Sequence, residues 1–60
     1  MRLLTLHDHL NPSQEVEVDA DQISAVTIFG SGSAVMVAGQ GTIGVHETPR
    51  EVLAAIKASQ

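Results

Sequence analysis

The sequence predicts an α+β domain: a small antiparallel sheet of about five strands, followed by one C-terminal helix. Three observations carry this reading. Apolar residues alternate with polar ones, or run in short apolar blocks, through residues 2–46, as strands do. Breaks rich in Gly, Pro, Asn and Asp divide that stretch into short segments. At Thr48-Pro49-Arg50-Glu51 the periodicity changes from that of a strand to that of a helix.

Each element has its own signal. Arg2-Leu3-Leu4-Thr5-Leu6 reads as the first strand, and Leu10-Asn11-Pro12-Ser13-Gln14 as a loop, because Asn-Pro favours a turn. Glu15-Val16-Glu17-Val18 alternates acid with valine, the pattern of a half-exposed strand. Asp19-Ala20-Asp21-Gln22 reads as a polar turn. Ile23 to Phe29 is the strongest strand, with Ile23, Ala25, Thr27 and Phe29 assigned to one face and Ser24, Val26 and Ile28 to the other. Gly30-Ser31-Gly32-Ser33 connects it to a strand over Ala34–Ala38. Gly39-Gln40-Gly41 supplies positions that tolerate positive φ at a tight turn, and Thr42–His46 forms the fifth strand. Thr48 then caps a helix, Pro49 suits its first position and Glu51 can bond back to the cap. Val52, Leu53, Ala55 and Ile56 make its apolar stripe, with Arg50 and Lys57 directed away from it.

Sixty residues allow one domain, residues 1–60. A 43% hydrophobic and 17% charged composition is that of a globular chain. Chains of this size commonly gain stability from disulfides, a metal or oligomerisation. The absence of Cys removes the disulfides, and with them thiolate zinc sites and cysteine nucleophiles. It also fits a reducing compartment, so the cytoplasm is the expected location. Strictly apolar runs such as Ala34–Ala38 fall far short of the ~20 residues of a membrane helix, and no targeting segment is recognisable. Strands 23–29 and 34–38 carry apolar residues on both faces. A helix of about ten residues is roughly 15 Å long and covers one face of a small sheet. The second face calls for closure into a barrel or for another copy of the chain, and the expectation is a homodimer or higher oligomer.

Few residue groups suggest chemistry. His7 and His9 share a face if the strand continues through His7-Asp8-His9, and His46 could join them, as zinc ligands would. The plainer reading is a polar strand end, and no metal or other cofactor is expected. Glu15, Glu17, Asp19 and Asp21 recur at a spacing of two and could bind a cation or dock a basic protein. Such acids also form the solvated face of an edge strand, where they discourage aggregation. The two glycine-rich stretches lack the Gly-Lys-Ser/Thr ending of a phosphate loop, and neither opens a helix. A nucleophilic Ser31 or Ser33 would need a positioned base and an enclosed pocket. Three basic residues (Arg2, Arg50 and Lys57) against seven acidic ones give a net charge of −4, and one aromatic, Phe29, is a poor stacking platform, which argues against nucleic acid.

The runs Val16-Glu17-Val18-Asp19-Ala20-Asp21-Gln22-Ile23 and Val45-His46-Glu47-Thr48-Pro49-Arg50-Glu51-Val52 resemble the two signature segments of the small flagellar-locus FlbD family and its bacterial relatives. The resemblance spans nearly the whole chain, although Leu10–Gln14 is longer than that family's first turn. That family is implicated in motility and has no catalytic residues to carry over; the resemblance implies a small bacterial accessory protein and little more. The order of five strands and a C-terminal helix is also similar to that of the carbon storage regulator, an RNA-binding dimer. Val45-His46-Glu47 resembles its Val-His-Arg segment, but Glu47 stands in place of the RNA-contacting arginine and Leu6 in place of a basic residue. The sequence therefore points to a non-enzymatic, self-associating protein-interaction or accessory module. An RNA-binding type of post-transcriptional regulator is the alternative.

Overall fold

Leucines and valines at alternate positions fold the first hairpin onto one side. In the computed structural model, which describes residues 2–59, β1 (Leu3–His7) pairs antiparallel with β2 (Glu15–Asp19). Leu4 lies opposite Val18 and Leu6 opposite Val16, so the apolar set shares one face. Leu3, Thr5 and His7 occupy the other face, opposite Asp19, Glu17 and Glu15. The loop between the strands is closed by Asp8, whose carboxylate accepts the Leu10 and Asn11 N–H groups at 3.0 Å. The residues expected to form a polar turn after β2 make one turn of 3-10 helix, Ala20–Gln22. Asp19 caps it, accepting the Asp21 N–H.

β3 (Ile23–Phe29), β4 (Gly32–Val37) and β5 (Gly41–Val45) form an antiparallel meander. The link between β3 and β4 is tighter than the expected four-residue connection. Only Gly30 and Ser31 lie between the strands, and Gly30 has φ +58. Glycine at the first central position belongs to the hairpin turn whose twist matches its strands. β4 consequently starts two residues earlier than expected. Gly32 tolerates no side chain, because a Cβ there would collide with the Val45 carbonyl oxygen.

The five strands divide into a two-stranded and a three-stranded sheet rather than one. They meet where β1 runs past β5. Asp8 makes an isolated bridge to Val45, the His46 N–H donates to the His7 carbonyl at 2.7 Å, and the His9 N–H donates to that of Gly44 at 3.3 Å.

The faces of β3 differ from those expected. Ile23 pairs with Val37 but Ala25 pairs with Met36, so Ser24 is an extra residue, a β-bulge. The bulge moves Ile23 onto the side of Val26, and both pack against the core. Ala25, Thr27 and Phe29 alone share the opposite face. Strict alternation fails because one inserted residue reverses the phase of the strand.

Helix α1 (Pro49–Ala58) lies across the inner side of this arrangement, touching β1, β3 and β4. Val52 is fully buried, and Ala55 and Ile56 pack beside it. Leu53 is not part of the stripe, with 57% of its surface exposed, because it points a third of a turn away from Val52. Leu4, Leu6, Val18, Ala20, Val35, Val37 and Val45 complete the core. The accessible surface of 3837 Å² is close to the roughly 3,700 Å² that size scaling gives a folded chain of this mass.

The helix start is a complete capping box: Thr48 Oγ1 accepts the Glu51 N–H at 3.3 Å, and Glu51 Oε1 accepts that of Thr48 at 2.9 Å. Thr48→Ala is expected to lower stability by about 1 kcal/mol in a denaturant titration. Gly32→Ala is expected to cost about 1–3 kcal/mol in the same assay, because the Val45 backbone must give way.

Candidate functional site

The most connected polar group lies at the join between β5 and α1. Glu47 follows the last strand and precedes the helix cap. Its Oε2 lies 2.6 Å from His7 Nδ1, and its Oε1 accepts the His7 N–H at 3.0 Å. Its own carbonyl accepts the Ser33 hydroxyl at 2.7 Å. One residue thus ties the end of β1, the middle of the meander and the start of the helix.

The charges of this pair support one another. The Glu47 carboxylate holds the His7 ring in its protonated form, so the His7 pKa is raised above its ordinary 6.5. Partial burial pushes the Glu47 carboxyl upward, but the hydrogen bonds from the His7 ring and main chain outweigh it, and its pKa ends below the ordinary 4.5. Ser33 is fully buried, and its hydroxyl hydrogen bonds to the Glu47 main chain.

His9 takes a different direction from His7. Its ring lies 5.1 Å from that of Phe29, tilted by 53°, and its buried Nδ1 has no hydrogen-bond partner among the described residues. A Cβ on Gly44 would lie 3.5 Å from the His9 Cβ and 3.8 Å from the Phe29 ring, so its missing side chain leaves both residues room. Asp8, His9, Leu10, Phe29 and Gly44 line an open hollow of about 370 Å³. His46 is exposed on a third site. Among the described residues, no three His, Asp or Glu side chains converge as metal ligands do.

The acidic set also separates. Glu15 and Glu17 are exposed along β2. Asp19 accepts the Asp21 and Arg2 N–H groups, which hold its carboxyl below the ordinary carboxylate range. Asp21 pairs with Arg2 Nε at 2.8 Å, and the same guanidinium reaches the Ser59 hydroxyl beyond the helix end. Asp19 and Asp21 therefore serve the join between β1, β2 and the helix. Arg50 and Lys57 are exposed on the helix.

A further surface with exposed apolar residues is the outer face of the meander, opposite the helix. Cross-strand pairing aligns Ala25 with Met36 and Thr42, and Thr27 with Ala34 and Gly44; Phe29 ends the row. Phe29 is 53% and Met36 40% exposed. No charged side chain belongs to these rows.

Sequence reasoning located this face, through the doubly apolar strands, but missed Glu47. Its partner His7 stands 40 residues away, and no spacing rule links a carboxylate before a helix cap to a distant strand end. No helix among the described residues is long and apolar enough to cross a membrane.

The His7–Glu47 pair gives a pH signature. The His7 contribution is complete below pH 6.5 and is lost as the pH rises through its raised value. The Glu47 contribution is complete above pH 4.5 and is lost as the pH falls through its lowered value. The pair therefore stabilises the fold most between those two ordinary values. NMR titration of the His7 ring is expected to give a pKa above 6.5, falling toward 6.5 in Glu47→Gln. An unchanged titration in that variant would remove Glu47 as the cause.

Compared with known protein families, with curated proteins and with solved structures, the chain matches none, so the two resemblances drawn from its sequence gain no further support.

Proposed function

We propose that this chain is a non-enzymatic accessory module that works through protein contact, first of all with further copies of itself. The outer face of the meander carries the reading. Its strand rows are largely apolar and uncharged, with Thr27, Phe29, Met36 and Thr42 exposed and Asp8 only bordering the Phe29 end, in a chain whose net charge is −4. Contiguous apolar surface of this kind commonly marks a contact site. A charge-free face can meet its own copy without like-charge repulsion, whereas a basic partner would be drawn to Glu15 and Glu17 instead.

Other features agree with an interaction role. The Ser33 hydroxyl is buried and bonded to main chain, away from any substrate. The Glu47 carboxylate that pairs with the His7 ring also accepts a backbone N–H, as a structural clasp would. Of the three cations, Arg2 is engaged by Asp21, which leaves little positive surface for phosphates. A chain without cysteine fits the cytoplasm.

Sedimentation equilibrium from micromolar to millimolar protein is expected to show a dimer or larger species, and the protein is expected to pass through a heparin column at low salt. A monomer throughout, retained on heparin, would reverse the reading in favour of a nucleic-acid regulator.

A further inference from the structure

β3 and β5 are the edge strands of the meander; β5 meets the end of β1 at the seam, and among the described residues β3 pairs in the sheet with β4 alone. Where β1 and β5 meet at the seam, β2 and β3 are left as the outermost strands of the fold, and their edges are unlike. β2 carries Glu15, Glu17 and Asp19, the kind of charged edge that resists further pairing. Ile23–Phe29 has seven residues, with neither a charge nor a proline among them. Edge strands of that composition are templates for another strand.

The bulge at Ser24 confines the regular part of this edge to residues 25–29. Phe29 pairs with Gly32 across a two-residue turn, so the main-chain groups of Phe29, Thr27 and Ala25 bond to β4. Those of Val26 and Ile28 point away from β4, toward the open edge. Ile28 has 77% of its surface exposed, although its register places it on the inner side of the sheet opposite buried Ser33. A large apolar side chain at the rim of the inner layer is therefore left with little to cover it.

We infer that β3 pairs antiparallel with β3 of a second copy, about a twofold axis at Thr27. This rests on the self-association proposed above, but places the first contact between copies at the β3 edge, where it joins two outer faces side by side rather than pressing them together. The axis falls at the centre of the regular segment. Val26 then lies opposite the partner's Ile28, and Ile28 opposite the partner's Val26, each pair exchanging two main-chain hydrogen bonds. Ala25 faces the partner's Phe29, so a small side chain meets a large one on the outer face; Val26 and Ile28 make the corresponding inner contact. The contact is isologous: every pairing occurs twice. Two three-stranded meanders become one six-stranded sheet, and their two uncharged outer faces become continuous.

The chain has no cysteine, so a single introduced thiol reports the geometry. Facing residues at a non-hydrogen-bonded position have Cα atoms about 4.5 Å apart, within the range a disulfide spans. Thr27→Cys is expected to give a disulfide-linked dimer under mild oxidation, and Thr42→Cys on β5 is expected to give none. Thr27 is exposed, so Thr27→Lys is expected to keep the circular dichroism of the parent while sedimenting as a monomer. A dimer that survives Thr27→Lys and cross-links through Thr42→Cys but not Thr27→Cys would overturn the edge pairing and leave self-association standing. A wild-type protein that is monomeric at every concentration would overturn both.

Discussion

The Glu47 carboxylate is the constraint on which the rest of the fold depends. The two-stranded and three-stranded sheets share one isolated bridge and a few main-chain hydrogen bonds where β1 passes β5. Glu47 reinforces that seam by holding both the ring and the main-chain N–H of His7. The next residue caps the helix, so the seam and the helix start are fixed together. A charged acceptor suits this place because hydrogen bonds to charged groups are stronger than neutral ones. A neutral residue of the same length would keep the reach and lose the attraction for the protonated ring.

Around that clasp the molecule is two-sided. Val35, Val37 and Val45 face inward to meet Val52 of the helix, and Leu4, Leu6 and Val18 join them from the first hairpin. The helix is ten residues long, and with its apolar stripe turned inward it leaves the other side of the meander covered only in part, by His9 against Phe29 and Gly44 among the described residues. Charge is distributed to match: acids line β2, and the exposed cations lie on the helix. The outer rows of the meander receive neither. The same sequence economy that builds a core from valines leaves Phe29 and Met36 in the open.

How much of this was legible in the sequence depends on range. The helix was readable in full at its start, because Thr48, Pro49 and Glu51 act on backbone groups within one turn. The strands were readable to within two residues, because alternation is local. The two-residue turn at Gly30 was overestimated because Gly32 resembles a loop residue, yet its lack of a side chain serves the close approach of the Val45 backbone. The Ser24 bulge was invisible, since its register depends on β4 rather than on β3. The divergence of His7 and His9 was invisible for the same reason: each ring is placed by a residue from elsewhere, Glu47 for one and Phe29 for the other.

The seam between β1 and β5 also bears on how the chain assembles. The hairpins β1–β2 and β3–β4–β5 are built from neighbouring segments, and their turns close short loops. Joining His7 to Glu47 closes a loop of 40 residues. Chain entropy makes such a long-range contact the slower one to form, and it becomes worthwhile only once both hairpins exist to be joined. The order of assembly that follows is two local β-units first and their clasp last. In the folded protein the clasp and the shared core act together, because parting the two units would also separate Leu4, Leu6 and Val18 from Val35, Val45 and Val52.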